Sequence, residues 1–577
     1  MIENLKIPLR YTDVFSDSNE SIEFHLQHIN KDILIKFAIY FSRDPKTENT
    51  DIFNFIDNFF SRENKTIALE IKQRISKLTY YDKFTTVITS KLLCYKLLEK
   101  SLSLTQTVHT TNKIAEINLF KAILLINEEL IENDIKTKEL IDNLDCLNQA
   151  KLFFTLSLPN HDIVSYNLNI EFINETYKSL VLFKFLNTNP FYNPILEKLL
   201  CNYNCDDTTS FIKLMLASVL PAIQNQDNNT IYLSYNRLDK LEEKQYQFIE
   251  KFSLSSFQPI DDIDFITLRS NPFIRIDDSK FLVISDIFLC QLIHNSLYFK
   301  LNDIFKSLKV VDKTLPDFRG LYCYEFSEKF LFYNVMKYIF NKRSYIQISG
   351  EQFETNKIEG AVDYYVRNGS KVLLFESKNS LFPAKLKTSK DFNQIEKVLR
   401  RNYHSDNSSS TTDKKAILQL IETIKLSLNN FVNQIDVNIP KQPRFFPILV
   451  SHNKHTEITG FNYILNNWFQ VELEKLKCSL NIEIKCLPLT VVNIDTLIYF
   501  QDEFQDKEFD LFMLIEKYHK SVKYNYQLGD FRNREESISR LWPFSSFIFE
   551  YMNERSKMKV PKIISDLIKE LEGSNSL

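Results

Sequence analysis

The chain has 577 residues, 44% of them hydrophobic, enough to bury a large core and to build roughly two to four domains. Its 71 Lys and Arg against 74 Asp and Glu give a net charge of −3, which excludes a globally basic surface, so nucleic-acid binding would need a local patch. No apolar run approaches the ~18 residues of a membrane span, and Met1-Ile2-Glu3-Asn4-Leu5-Lys6 does not open a secretory signal, so a soluble cytoplasmic chain with no membrane partner is expected.

The first half is unusual for what it lacks. All seven glycines lie at or after Gly320, against an average usage of about 7%. Turns before that point must rely on Asn, Asp, Ser and Pro, which suits helices joined by loops better than tight hairpins. Apolar periodicity predicts helices over 111–133, 138–156 and 238–252, so residues 1–265 read as a mainly helical region. It has no fixed-period repeat and no catalytic constellation. Residues 272–284 read as a hairpin and 287–305 as a helix, forming a connector over 266–319. The eight cysteines are scattered; Cys201 and Cys205 have no second pair, and His452 and His455 stand apart, so buried structural side chains are expected rather than zinc ligands. Neither GxxxxGK[ST] nor GxGxxG occurs, which gives no sign of nucleotide binding.

In the second half, a helical pattern over 322–341 and a strand pattern over 345–349 lead to residues 359–378, EGAVDYYVRNGSKVLLFESK. An Asn368-Gly369 pair between two strand patterns predicts a two-residue hairpin turn. That loop sets Arg367 opposite Ser370 and Asp363 opposite Leu374. Because strand side chains alternate, Asp363 then shares a face with Leu374, Glu376 and Lys378. Glu376 becomes its diagonal neighbour at roughly 7–8 Å, a gap across which two carboxylates can share a hard cation such as Mg²⁺. A three-residue loop with a bulge would flip one strand and separate them. Both faces of these strands are otherwise apolar, which is the pattern of a covered sheet, and charged residues buried there need partners.

Beyond the hairpin, residues 377–403 carry seven Lys and Arg, Lys378 included, against Asp391 and Glu396. The pattern over 391–403 is amphipathic, and the polar run over 404–412 reads as a loop. A helix over 413–432, strands over 445–451 and 487–492, and a terminal helix over 560–571 complete the reading. Either of the last two offers an oligomer contact.

Gly360-Ala361-Val362-Asp363, then a hairpin, then Glu376-Ser377-Lys378 resembles the PD-(D/E)XK nuclease superfamily, with Val362 where that family often has Pro. The resemblance covers roughly residues 320–500. It implies a restriction-endonuclease-like α/β core (helix, three strands, helix, strand) within 320–520, hence an α+β chain overall with a helical extension over 521–577. It also implies metal-dependent hydrolysis of phosphodiester bonds, with Asp363 and Glu376 as ligands of Mg²⁺ or Mn²⁺ and Lys378 positioning water or offsetting charge on the phosphate. A further carboxylate is implied on the leading helix, at Glu328 or Glu325. Glu328 falls in the helical row Tyr324, Leu331, Val335 and Tyr338, where a carboxylate is costly unless paired or bound to a cation. Gln419-Leu420 resembles a Gln-Leu pair that some members carry on the helix after the active-site strand. Lys385, Lys387, Lys390, Lys397, Arg400 and Arg401 would form a phosphate-tracking insert, with DNA expected over RNA. A large helical module joined to such a nuclease resembles bacterial restriction or phage-defence effectors. The alternative is a non-catalytic nucleic-acid-binding or scaffold protein that keeps the fold; the intact Asp, Glu and Lys favour the enzyme.

Overall fold

A computed structural model describes residues 6–16, 20–43, 51–78, 85–105, 110–132, 145–226, 228–255, 259–260, 262–311, 313, 315–406, 413–429, 432–522 and 540–573. The chain is mixed α and β and divides into two compact units: residues 1–135, 163–175 and 194–301 form the first, and 136–162, 176–193 and 302–577 the second. No helix among the described residues is long and apolar enough to cross a membrane.

The first unit is mainly helical, as the absence of glycine predicts. The helix expected over 111–133 is Asn112–Glu132, and the one over 238–252 is Lys240–Glu250. Residues 138–144 of the helical pattern expected over 138–156 lie outside the described residues; its remainder is the helix Cys146–Ser157, which belongs to the second unit. Side-chain caps close helix N-termini: Asp51, Ser90, Asp207 and Asp239 each accept hydrogen bonds from backbone N–H groups of the first turn. The expected hairpin is present as Phe273–Arg275 paired antiparallel with Lys280–Val283. Its turn is made without glycine, the Asp277 carboxylate accepting the Ser279 N–H at 2.7 Å. This hairpin belongs to a four-stranded sheet that also contains Tyr232–Ser234 and Ser253–Leu254, so the unit holds more strand than its periodicity shows.

The second unit is built on a five-stranded mixed sheet. Its elements are α1, π-helical over Tyr322–Phe332 and α-helical over Tyr333–Ile339; β1, Ile346–Ser349; β2, Tyr364–Asn368; β3, Lys371–Lys378; α2, Phe392–Tyr403; α3, Ala416–Leu428; β4, Arg444–Ser451; α4, Phe461–Leu480; and β5, Thr490–Asn493. Strand order is β5-β4-β3-β2-β1. β1, β2 and β3 run antiparallel to their neighbours in turn, whereas β3, β4 and β5 are mutually parallel. The central strands are buried throughout their middles, as near-continuous apolar runs in a covered sheet should be. On one face Tyr365, Val372, Leu374 and Leu449 join a core with Ile395, Leu399, Ile417, Leu420, Phe461 and Ile464. On the other, Phe332 and Tyr333 of α1 pack on Tyr364, and Phe340 on Phe375. The ends of β2 and β3 that carry Asp363 and Glu376 therefore lie between α1 and the helical layer.

Candidate functional site

The hairpin turns one residue later than its sequence predicts. Asn368 pairs with Lys371 and Arg367 with Val372, so the loop is Gly369-Ser370. Of Asn368 and Gly369, only Gly369 has a positive φ, at +59°. A type I′ turn would need positive φ at both central residues, whereas glycine alone at the first central position serves type II′. The correction moves the register by two residues: Leu374 faces Tyr365, not Asp363, and continuing the ladder sets Asp363 opposite Glu376. An even shift leaves every side chain on its predicted face, so the two carboxylates are closer neighbours than the diagonal placement implied.

Glu376 is fully buried. Its Oε1 accepts a hydrogen bond from Lys378 Nζ at 2.6 Å, and its Oε2 is buried with no hydrogen-bond partner among the described residues. The Ser377 N–H donates to Asp363 Oδ2 at 2.7 Å, which holds that carboxylate at the strand end. From α1, Glu328 completes the group, its Oε1 accepting from the Tyr333 hydroxyl at 3.1 Å. Tyr333 reaches this position because residue 350 is glycine: a Cβ there would stand 2.9 Å from the tyrosine hydroxyl.

Electrostatics bind these residues into one unit. Burial first, and then repulsion from Asp363, push Glu376 and Glu328 each up to about 8, and burial raises Asp363 too. Burial works against the charge on Lys378, but Glu376 and Asp363 outweigh it and hold the ammonium above the ordinary lysine value. Three carboxylates around one ammonium, with Asp363 disfavouring the ionisation of the other two, form a set short of positive charge. With a buried oxygen left over, the donors fit a hard divalent cation of the Mg²⁺ or Mn²⁺ type. Among the described residues no three His, Cys, Asp or Glu side chains are grouped so as to hold one ion as they stand, and Lys378 donates to Glu376 Oε1.

The remaining expected residues separate. Glu325 faces Lys329 at 3.8 Å, and Lys329 also pairs with Glu351 at 3.0 Å, so Glu328 is the α1 carboxylate brought towards Asp363. The α-helical row that pointed to it does not hold, since Tyr324 is 40% exposed while Leu331 and Val335 are buried. The segment is π-helical, with the Tyr333 N–H bonded to the Glu328 carbonyl five residues back. Gln419 sits on α3 with a buried Oε1 that lacks a partner among the described residues, but no hydrogen bond joins it to the carboxylates. In the basic segment, Lys387 is a correction: it is buried and reaches Asp162 at 3.5 Å, so it cannot track a phosphate backbone. Arg400 is engaged as well, bonded to Glu396 at 2.8 Å and stacked over Trp468 at 4.3 Å. Lys385, Lys397 and Arg401 are exposed, and Lys390 is half-buried.

A cleft of about 530 Å³ opens on this group, and Glu328, Ser377 and Lys378 line it. Besides Lys378, the basic segment contributes Arg401 to its wall, joined by residues that the sequence reading missed: Arg319, Asn379 and Lys415. Arg319 donates to both the backbone carbonyl and the side-chain oxygen of Asn379, and the Asn379 amide donates to Ser327 Oγ at 2.8 Å. Position was the available signal, since Asn379 directly follows Lys378 and Arg319 lies in the short helical turn Phe318–Leu321 that leads into α1. His452 sits beside the group, its Nε2 lying 2.9 Å from Ser377 Oγ and burial lowering its pKa to about 3. No protein-family model, curated protein or solved structure matches the chain.

Proposed function

We propose that the chain is a metal-dependent nuclease of the PD-(D/E)XK type, hydrolysing phosphodiester bonds in nucleic acid with DNA as the first substrate to test. The observation that carries this reading is the convergence of Asp363, Glu376 and Glu328 around Lys378, with one buried carboxylate oxygen unpartnered. The order of helix, three antiparallel strands, helices α2 and α3 and parallel strand supports a restriction-endonuclease-like core.

Glu376, Asp363 and Glu328 would hold Mg²⁺ or Mn²⁺, which when bound lowers the pKa of an attacking water and polarises the phosphoryl oxygen. The protein's own contribution is placement. Ser377 fixes Asp363, Tyr333 fixes Glu328, and Lys378 is held charged in the wall of the cleft. As the water oxygen bonds to phosphorus and the bond to the leaving sugar oxygen breaks, the Lys378 ammonium offsets negative charge on the phosphoryl oxygens.

Incubating the purified chain with plasmid and linear DNA in Mg²⁺, Mn²⁺ or chelator tests the proposal. Cleavage should require the metal and vanish in Asp363→Ala at unchanged thermal stability. Full activity in that variant, or no cleavage of any DNA or RNA in either metal, would overturn it and favour a binding protein that keeps a nuclease-like core.

A further inference from the structure

The cleft has more than a reactive end. Its walls carry Arg319, Lys378, Arg401 and Lys415, the last ion-paired with Asp413, against the carboxylates of Glu328 and Asp406, and two large side chains, Tyr324 and Leu381. Both of those are solvent-exposed, at 40% and 44%. An exposed aromatic in a basic groove is the combination by which proteins hold single strands, the cations following the phosphates while a base stacks on the ring. One face of the Tyr324 ring is already covered by the Lys329 ammonium, 3.9 Å from the centroid, which orients the ring. Arg319 is likewise fixed in advance by Asn379. Arg401 is exposed and makes no hydrogen bond or ion pair with a described residue, so its charge is available to a phosphate.

Size bears on the choice between a duplex and a strand. A volume of about 530 Å³ falls in the range that encloses a small-molecule ligand, which is roughly one or two nucleotides and not a double helix. A base paired within a duplex could not reach Tyr324 without leaving its stack.

We propose that this cleft is a single-strand seat, taking an unpaired stretch, a frayed end or a nucleotide splayed from a duplex, with Arg319, Arg401 and Lys415 on the phosphates and Tyr324 against a base. The proposal rests on the nuclease reading for its orientation towards Lys378.

The test uses the full chain and two readouts. In chelator, fluorescence anisotropy should show single-stranded DNA or RNA 20-mers binding at least about tenfold tighter than the blunt duplex of the same sequence. Tyr324→Ala should weaken single-strand binding by about 5- to 150-fold, the range of one lost base stack, while Tyr324→Phe retains it and both variants melt like the wild type. Equal or tighter duplex binding, or unchanged single-strand affinity in Tyr324→Ala, would overturn the seat. In Mg²⁺, cutting confined to single-stranded tails of a forked substrate supports the seat, whereas preferred cutting inside blunt duplex overturns it and leaves the nuclease standing. Tight single-strand binding without cleavage of any substrate supports the seat and removes the nuclease reading. DNA and RNA arms separate the two sources of strand.

Discussion

Glu376 combines complete burial, a lysine on one oxygen and nothing on the other. Such a carboxylate takes up a proton more readily in the folded chain than in the unfolded one, and Glu328 does the same, both moving from 4.5 to about 8. Their contribution to stability is therefore full below about pH 4.5 and is lost as pH rises towards about 8. A bound cation must displace those protons, and it adds stability to the form that holds it. The metal-free chain should accordingly melt at lower temperature at pH 8 than at pH 5.5, with Mn²⁺ raising the melting temperature more at pH 8. Glu376→Gln should flatten the pH slope and weaken the Mn²⁺ effect. Thermal melts with and without Mn²⁺ at the two pH values check this, and equal Mn²⁺ shifts at both would contradict it.

At the scale of elements, two features outside the cluster hold the sheet and its helices in place. Arg367 on β2 forks onto the fully buried Asp436 carboxylate, Nη2 lying 2.6 Å from Oδ1, and the Tyr365 hydroxyl donates to the same group at 2.9 Å. Asp436→Ala would leave a buried guanidinium unpaired, so urea denaturation should show a loss of about 3–5 kcal/mol. Gly460 precedes α4 with φ +91°, and a Cβ there would stand 2.5 Å from the Ala150 carbonyl oxygen. Gly460→Ala should therefore cost more than the ~1 kcal/mol of an ordinary glycine replacement at positive φ, whereas Gly369→Ala, with open space around it, should stay near that figure. Comparing the two denaturation midpoints separates clash from strain. What could be read in the sequence follows the same division. The hairpin, its faces and the Asp363, Glu376 and Lys378 set were legible because strand parity survives a register error of two residues. The π-helical stretch of α1 was not, because nothing in Tyr322–Phe332 distinguishes an i→i+5 ladder from an i→i+4 one. Nor was the fate of the basic run: Lys387 is buried through Asp162, 225 residues away, and Arg319 enters the cleft through Asn379, 60 residues on. Local pattern carries no information about either.

For the whole molecule, a net charge of −3 means that affinity for nucleic acid has to come from few contacts. If Arg319, Arg401 and Lys415 are the phosphate ligands, log K for a single strand should fall against log salt with a slope of about −2, a loss of about 20-fold between 50 and 200 mM salt. Titrations at several salt concentrations measure that slope directly; a slope near zero would exclude the cleft as a phosphate-binding surface, and one several times steeper would require a second basic surface. The central claim is that Lys378 and the three carboxylates beside it hydrolyse phosphodiester bonds. Its most direct test is single-turnover cleavage of an end-labelled oligonucleotide in Mg²⁺ by the wild type and by Lys378→Ala, which retains the carboxylates. The predicted result is cleavage by the wild type that stops in chelator and falls by about 10²–10³-fold in the variant, the scale of one lost transition-state donor. Equal rates for the two proteins, or cleavage that persists in chelator, would contradict it.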